Sequence, residues 1–584
     1  MVNAGVRVRP PSRRAAGATA DAPSPVRARV RVRVRRAVAV GVPAVTMLAV
    51  GLWGLDRGGM WRDEAVTFQV GRRTVPQIWR LLHDVDAVHG LYYLLMRPVL
   101  AVHPGEVVLR LPSVCAAAVT AGLVAALGTR LARPRVGLWA GLLYAVTPMA
   151  GHYAQEGRSY ALVAAGATGA TLLFVRAARG TSWWAYGAVV ALTCWLHEFA
   201  VLLLFAHGVS LALGRAGARV WRGWGRAAAA VVLSLLPMVF VSRAQAAQVA
   251  WLHRPTATAA QGLARQFLGP SDGVYWICLG LALLGLAGVV GPRGEFTRAG
   301  VALPLTVVPP AVLMLVSQHS PLYVDRYVLY ALGGAPLLVA GGAERVAAAL
   351  GGLRRYGGRV VVGRLRPGGR AALGGLRRYG ARVVVGRLRP GGGLDGRARR
   401  AAGPWRSSPV ALAGVLAVAA SLLHQSSLLS ADRDPGRRPD DIAAVSRLAA
   451  RELGPGDPVL FLPAQTRGAA LAYPRAFRGA RDVALTEGAA TSGTLYGREA
   501  GPAGLRRRLA RLERVWVVAD QDLLAGRWTS HSPTERAKLA VLRREYSVRA
   551  EAARHRTTVR LYVRRARATA RPGPPSASPR PGRW

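Results

Sequence analysis

The feature that most restricts this chain is a succession of apolar runs separated by short segments dense in arginine. A bilayer core takes about 20 apolar residues per helix, and about eleven candidate spans can be read on that measure. They lie near Ala37 to Leu55, Leu109 to Leu131, Val136 to Ala150, Tyr160 to Ala178, Trp183 to Leu196, Phe199 to Leu213, Ala227 to Val241, Val274 to Val290, Val301 to Val316, Tyr327 to Ala343 and Val410 to Leu423. The 584 residues are 51% hydrophobic and only 18% charged, yet carry a formal net charge of +50. An ordinary soluble domain has about 25% charged residues. Apolar residues and arginines must therefore separate along the chain, as they do in an α-helical polytopic membrane protein. Disorder is excluded by the apolar surface available for burial, and a disulfide scaffold by three cysteines in so long a chain. Cys115, Cys194 and Cys278 fall inside apolar runs and read as small buried hydrophobes. A nucleic-acid partner is not expected, because the arginines alternate with apolar spans instead of forming one basic face.

Arginine placement sets the orientation, since short Arg-rich loops stay cytoplasmic. Six arginines between Arg27 and Arg36 precede the first span and put the N-terminus inside. Alternate loops agree, at Arg130 to Arg135, Arg176 and Arg179, Arg215 to Arg226, Arg293 and Arg298, and Arg354 to Arg406. The first span has no convincing cleavage site and reads as an uncleaved anchor, so the expected location is the plasma membrane, multi-pass. The expected organisation is a basic, disordered cytoplasmic segment over 1–36, a membrane domain over 37–346, and a Gly/Arg-rich cytoplasmic loop over 347–407. A last span over 408–428, an extracytoplasmic α/β domain over 429–565 and a disordered tail over 566–584 complete it. Within the loop, Ala349 to Gly369 recurs almost unchanged as Ala372 to Gly392. One duplication is too little for a solenoid; gene slippage explains it, with contact to anionic membrane lipids as the functional alternative. In the C-terminal segment, Asp441 to Leu453 and Pro533 to Arg544 have helical spacing. Val459 to Leu462, Arg514 to Val518 and Thr557 to Val563 read as strands. No phosphate-binding glycine pattern occurs in this region.

With that topology, the chemically useful residues gather on the outer side, in WRDEA (Trp61 to Ala65), HDVDAVHGLYY (His83 to Tyr93), HYAQEGRSY (His152 to Tyr160), His197/Glu198 and SQHSPLYVDRY (Ser317 to Tyr327). Carboxylates, histidines and lone arginines drawn from several loops at a membrane surface make a reasonable active site. Asp63 and Glu64 sit where partial desolvation and neighbouring charge can tune a general base; the alternative is a solvated acidic pair beside Arg57 and Arg62. A divalent ion among Asp84, Asp86, His89 and His197 is conceivable, but the spacing is no recognised metal pattern and simple polar, solvated side chains are the favoured reading. Arg158 and Arg326 run against the positive-inside tendency, and a planar guanidinium suits a lipid-linked phosphate. Ion pairs with Glu156 and Asp325 are the competing account. The tyrosines, including Tyr92 and Tyr327, read more simply as an interfacial belt.

WRDEA after the first span, DAVHGLYYLL, RLPS (Arg110 to Ser113), QEGRSYAL, LHEF (Leu196 to Phe199) and PLYVDRYVLY occur in that order. Together they resemble bacterial glycosyltransferase family 39 proteins, relatives of the protein O-mannosyltransferases in the GT-C superfamily, over roughly Ala37 to Val346. The appended outer α/β domain is similar to that of actinobacterial members. The resemblance implies a GT-C fold and transfer of a mannose-like hexose or a pentose from a polyprenyl-phosphate donor to a protein, glycan or lipid acceptor, with inversion. It implies Asp63 as general base, with Glu64 as a supporting or acceptor-binding group. Arg158 and Arg326 would hold the donor phosphate, and His89, Tyr92, Glu156, His197, Glu198 and Tyr327 would line the substrate. Some relatives bind a divalent metal and others do not. Gly90 stands where the family often has proline before LYY. The rival class is a transporter or lipid-linked sugar flippase, which would place ionisable groups near the midplane and show repeated halves. His207 and His424 are the main titratable residues at depth, and no matching halves are visible.

Overall fold

The computed structural model describes residues 25–364, 409–434, 442–554 and 556–566. Helix α1 (Pro25–Leu52) is followed by three short helices, α2 (Arg62–Gly71), α3 (Val75–Asp84) and α4 (Gly90–Val102), and then by α5 (Glu106–Leu131). Next come α6 (Pro134–Val146), α7 (Pro148–Ala154), α8 (Tyr160–Ala177), α9 (Trp183–Leu196), α10 (Leu202–Leu213) and α11 (Ala218–Ala244). The bundle closes with α12 (Ala257–Leu268), α13 (Asp272–Gly285), α14 (Arg298–Val316), α15 (Ala335–Arg364) and α16 (Pro409–Asp432). The apolar runs expected to span the membrane fall largely on these helices. Among the described residues, five helices are individually long and apolar enough to cross a bilayer, and a sixth crossing arises if α12 and α13, bent by 84°, act as one. The shorter α9 and α10, at 14 and 12 residues, do not reach bilayer length as straight rods.

Three boundaries differ from expectation. The arginine run before the first span is helical from Pro25 onward instead of disordered. The run Val136 to Ala150 breaks at Thr147, because the residue before Pro148 is pushed out of the helical region. Asp325 to Gly334 forms 3-10 turns kinked at Val328, and regular α15 begins only at Ala335.

Close helix crossings use glycine where a side chain cannot fit, the usual device when lipid supplies no hydrophobic drive between helices. A Cβ on Gly137 of α6 would stand 2.2 Å from the Ala125 carbonyl of α5, and one on Gly342 of α15 would stand 1.8 Å from the Leu281 carbonyl of α13. The opposite condition marks the outside of the bundle. Leu233 and Phe240 of α11, and Trp276, Ile277 and Leu283 of α13, are exposed apolar side chains, a surface that water does not favour and acyl chains do. Cys115 belongs to that class: it is exposed on α5, correcting the expectation of a buried thiol, whereas Cys194 is buried.

Beyond α16 the chain forms α17 (Ile442–Glu452), β1 (Pro458–Leu462), α18 (Gly468–Ala472), β2 (Arg481–Asp482), β3 (Leu485–Glu487) and β4 (Arg498–Glu499). These precede α19 (Pro502–Ala510), β5 (Arg514–Asp520), α20 (Gln521–Leu524), α21 (Pro533–Glu545), β6 (Tyr546–Arg554) and β7 (Thr557–Arg564). The main sheet has the order β2-β1-β5-β7-β6, with β1 parallel to β2 and β5, and β7 antiparallel to β5 and β6. Alternation sends Leu460, Leu462, Val515 and Val517 to one face, against Leu505, Leu509 and Val541. Val459, Phe461, Trp516 and Val518 face Val445 and Ala449 on the other. Covered on both faces, the central strands are continuously apolar.

This α/β unit sits on one end of the bundle. Gln69 Nε2 donates to the Leu495 carbonyl at 2.8 Å, Arg73 Nη2 to the Thr494 carbonyl at 2.9 Å, and the Met60 amide to the Tyr473 hydroxyl at 2.9 Å. Tyr473 in turn bonds Glu106. The tail and most of the repeat loop lie outside the described residues, although α15 extends into the first repeat unit.

Candidate active site at the end of the bundle

WRDEA forms the first turn of α2, where two carboxylates meet the positive end of the helix dipole. Successive residues on a helix point in different directions, and Glu64 turns inward. Its two oxygens accept from Arg110 Nε and Nη2, both at 2.8 Å, and Oε1 also accepts from the Gly157 amide at 2.9 Å. Arg110 spends its remaining donors on the carbonyls of Leu55, Gly58 and Gly59 at 3.1–3.3 Å. Both side chains are essentially inaccessible. Of the two roles expected for Glu64, this geometry fits support: the pair ties the α1–α2 connection to α5 and to the loop before α8.

Asp63 turns the other way and keeps 27% of its side chain exposed, with Oδ2 at 3.8 Å from Arg326 Nη2. Arg326 lies 5.8, 5.9 and 5.6 Å from the ring centres of Trp61, Tyr160 and Tyr327, and its Nε donates to the Tyr160 hydroxyl at 3.1 Å. Such a cage holds a cation without neutralising it. Arg158 joins them, its Nη1 at 3.4 Å from Thr67 Oγ1 and 3.5 Å from the Asp63 carbonyl. Neither of the local ion pairs considered for these arginines forms. The Arg158 amide, not its side chain, meets the Glu156 carbonyl at 2.8 Å, and the Arg326 amide donates to Asp325 Oδ1 at 2.7 Å.

Arg158 Nη2 donates to His89 Nε2 at 2.6 Å. Burial, then Arg158, His197 and Arg326, hold the His89 imidazole well below its ordinary range. Burial, followed by Arg158 and Arg326, lowers His197 to about 3. Both rings are therefore neutral, and with Nε2 accepting, the proton of His89 lies on Nδ1. Their ring centres are 6.4 Å apart, and His197 packs at 4.7 Å from Tyr327. His89 Nδ1, His197 Nδ1, the Tyr92 hydroxyl, Arg158 Nε and both carboxylate oxygens of Glu156 are buried without a hydrogen-bond partner among the described residues. Buried polar groups in this state are costly, and their concentration around Asp63, Arg158 and Arg326 marks a place built to receive a polar ligand. Burial pushes the Glu156 carboxyl up to about 7.

Not every expected residue joins the cluster. Glu198 accepts from Ser242 of α11 at 2.9 Å, Asp84 is exposed at the end of α3, and Asp86 accepts from the Tyr93 hydroxyl at 2.7 Å. Among the described residues, no three His, Cys, Asp or Glu side chains converge to hold a metal ion. His207 is satisfied within the bundle by Thr171 at 3.1 Å and Tyr186 at 2.9 Å. Gly90, at the expected proline position, opens α4 where an added Cβ would lie 2.7 Å from Leu82 Cδ1, so a proline there would require the tip of the Leu82 side chain to shift. Arg110, Thr67, Trp61 and Tyr160 complete the site without having been assigned a part. A lone arginine in an apolar run was the signal for Arg110, since such a charge needs a buried partner.

A bundle of apolar helices capped by an α/β domain, with its polar site at the capped end, is a polytopic membrane protein of GT-C fold. The chain is similar in structure to ArnT from Cupriavidus metallidurans in the apo state, with a TM-score of 0.53 at 13% identity, over 91% of this chain and 98% of that one. Weaker similarity is found to ArnT from the same organism bound to undecaprenyl phosphate, at TM-score 0.48 and 14% identity over 89% and 97% of the two chains. It is found also to the oligosaccharyltransferase AglB from Archaeoglobus fulgidus, at 0.42 and 11% over 90% and 74%. No protein-family model and no curated protein matches the sequence.

Proposed function

We propose that the chain is a membrane glycosyltransferase, similar to family 39, that moves a hexose or pentose from a polyprenyl-phosphate donor to an acceptor hydroxyl by a single inverting displacement. The cluster would lie at the extracytoplasmic face, with the N-terminus in the cytoplasm. The observation that carries this reading is the convergence of a partly exposed carboxylate, Asp63, with the guanidiniums of Arg158 and Arg326 at the end of an apolar bundle. Asp63 removes the acceptor proton as the acceptor oxygen attacks the anomeric carbon. The bond from that carbon to the phosphate oxygen breaks, and polyprenyl phosphate leaves with the bonding pair. Arg158 and Arg326 stabilise the charge that develops on it, and the prenyl tail runs along the apolar helices. Glycosidase-type double displacement would need a second carboxylate as nucleophile, and Glu64 is engaged by Arg110. The residues considered for a divalent ion do not converge, so no step is routed through one.

The test is reconstitution in proteoliposomes with radiolabelled polyprenyl-phosphate mannose or arabinose and a mixed membrane and cell-wall acceptor fraction. Label should pass to acceptor, and Asp63→Asn should lower the rate by about 10²–10⁴-fold, the usual worth of a general base, at unchanged melting temperature. Translocation of the intact lipid without transfer overturns the reading, as does an Asn variant of full activity.

A further inference from the structure

A second cleft opens beside the cluster, between the α/β domain and the first turn of α2. It has a volume of about 490 Å³. Its floor is the carboxyl end of β1 and β5. The chain leaves β1 through α18, on the sheet face that carries Phe461 and Val518, and returns to β5 through α19, on the opposite face. The crevice outside the carboxyl ends of strands, where connections diverge in this way, is the general ligand site of open α/β sheets. Here that crevice is roofed by the membrane domain, through Arg62 and Trp251.

The lining is chemically specific. Asp520, in the lining, accepts at Oδ1 from the Leu523 amide at 3.0 Å and from Trp528 Nε1 at 3.2 Å, which fixes the Trp528 indole. Trp251, 63% exposed, supplies a second indole at the rim. Gln465 is exposed just after β1, and Arg556 is held by Asp522 at 3.1 Å. Two indoles offer flat apolar surface to the C–H faces of sugar rings. A carboxylate, an amide and a guanidinium offer the planar donors and acceptors that pair with adjacent hydroxyls, so the lining combines apolar platforms with a few placed polar groups. A phosphate or other anion would meet the Asp520 carboxylate at the floor; a neutral polyol meets it as a hydrogen-bond acceptor.

We propose that this cleft binds a saccharide chain and that the chain is the acceptor. Arg62, in its wall, immediately precedes Asp63, so a glycan lying in the cleft ends beside the base. Identity as acceptor rests on the transferase reading; saccharide capture does not. The lining also gives the α/β domain a task in catalysis: the carboxyl edge of its sheet is half of the acceptor site, and the bundle is the other half.

The test uses full-length protein in detergent and linear tetrasaccharides of mannose, glucose and arabinose as probes. Saturation-transfer NMR should detect at least one of them, and Trp251→Ala and Gln465→Ala, both at exposed positions, should each weaken it about tenfold. Trp528→Phe, which keeps a ring against the domain core, should do the same without lowering the melting temperature. In transfer assays the same variants should raise the acceptor KM about tenfold and leave the donor KM unchanged. Loss of saccharide binding in the variants, in a protein that transfers nothing, supports the cleft and overturns the transferase reading. Normal transfer with unmoved acceptor KM overturns the cleft and spares the transferase. No binding of any probe to the wild-type protein, or capture of a Ser/Thr peptide abolished by these variants, overturns the saccharide assignment.

Discussion

Asp63 and Glu64 are neighbours in one helical turn, both carboxylates, both beside arginine, and their surroundings are opposite. Glu64 is fully enclosed, with two charge-assisted bonds from Arg110 and one from a backbone amide. Asp63 is partly open, and its arginine stands off at 3.8 Å inside an aromatic cage. A closed pair has spent its bonding capacity on the scaffold, whereas an open one retains capacity for a ligand. The same contrast separates Arg110, whose donors are occupied by Glu64 and three carbonyls, from Arg158, whose buried Nε has no partner among the described residues. Unspent hydrogen bonding, more than charge itself, distinguishes the site from its frame.

The largest effect should come from breaking the closed pair. Removing one partner of a buried ion pair strands the other and costs about 3–5 kcal/mol. Glu64→Ala should therefore lower the thermal midpoint sharply in fluorescence-detected size-exclusion, with loss of folded protein. Replacing both, in Glu64→Ala with Arg110→Leu, should recover part of that loss, because no charge is left unpaired. A Glu64→Ala protein as stable as wild type would abolish the distinction drawn between the two carboxylates.

Next in size is the open side. A hydrogen bond to a charged group is worth about 1.5–3 kcal/mol, or about 10–150-fold in an equilibrium. Arg326→Ala should raise the donor KM within that range and lower the thermal midpoint far less than Glu64→Ala does, since 20% of this side chain is exposed, its ion-pair partner Asp63 is partly open, and one neutral hydroxyl, that of Tyr160, loses its bond. Arg326→Lys should recover little, because an ammonium lacks the planar fork that engages phosphate. A variant that loses stability but keeps its donor KM would place Arg326 with Arg110 as frame.

Much of this frame is legible in the residues. Apolar length located most of the helices, and the lone arginines and the Asp-Glu pair picked out residues that the fold brings together, because both departures from simple patterning carry a physical cost. What was not legible depended on partners far away in the chain. Nothing local says which of Asp63 and Glu64 turns inward; that is decided by Arg110, 46 residues on. The helices α2 to α4 are too short and too mixed to show as spans. The strand RVWVV was readable because both of its faces are covered, whereas β6, at the sheet edge, is polar along much of its length and pairs only with β7. Cys115 was misplaced because an apolar neighbourhood in the sequence does not distinguish a lipid-facing position from a protein-facing one.

The smallest effect sharpens the comparison most, because it concerns a carboxylate that belongs to neither pair. Glu156 is buried with both oxygens unpartnered among the described residues, in the field of His152, Arg326, Glu64 and Arg158, and burial outweighs the cations to bring it up to about 7 from 4.5. It is neutral in mildly acidic solution and gains its charge near neutrality, beside the arginines assigned to the donor phosphate. That charge opposes an incoming anion by about 1 kcal/mol or more, roughly fivefold in affinity. Wild-type donor KM should accordingly rise several-fold between about pH 6 and pH 8, and Glu156→Gln should flatten the profile. Linkage gives the matching sign in stability. Between pH 4.5 and about 7 the folded state holds a proton that the unfolded state has released, so stability should fall as pH rises through that window, and the Gln variant should lose this dependence. A donor KM that stays flat with pH in the wild-type protein would show that Glu156 lies away from the phosphate and would return it to the frame.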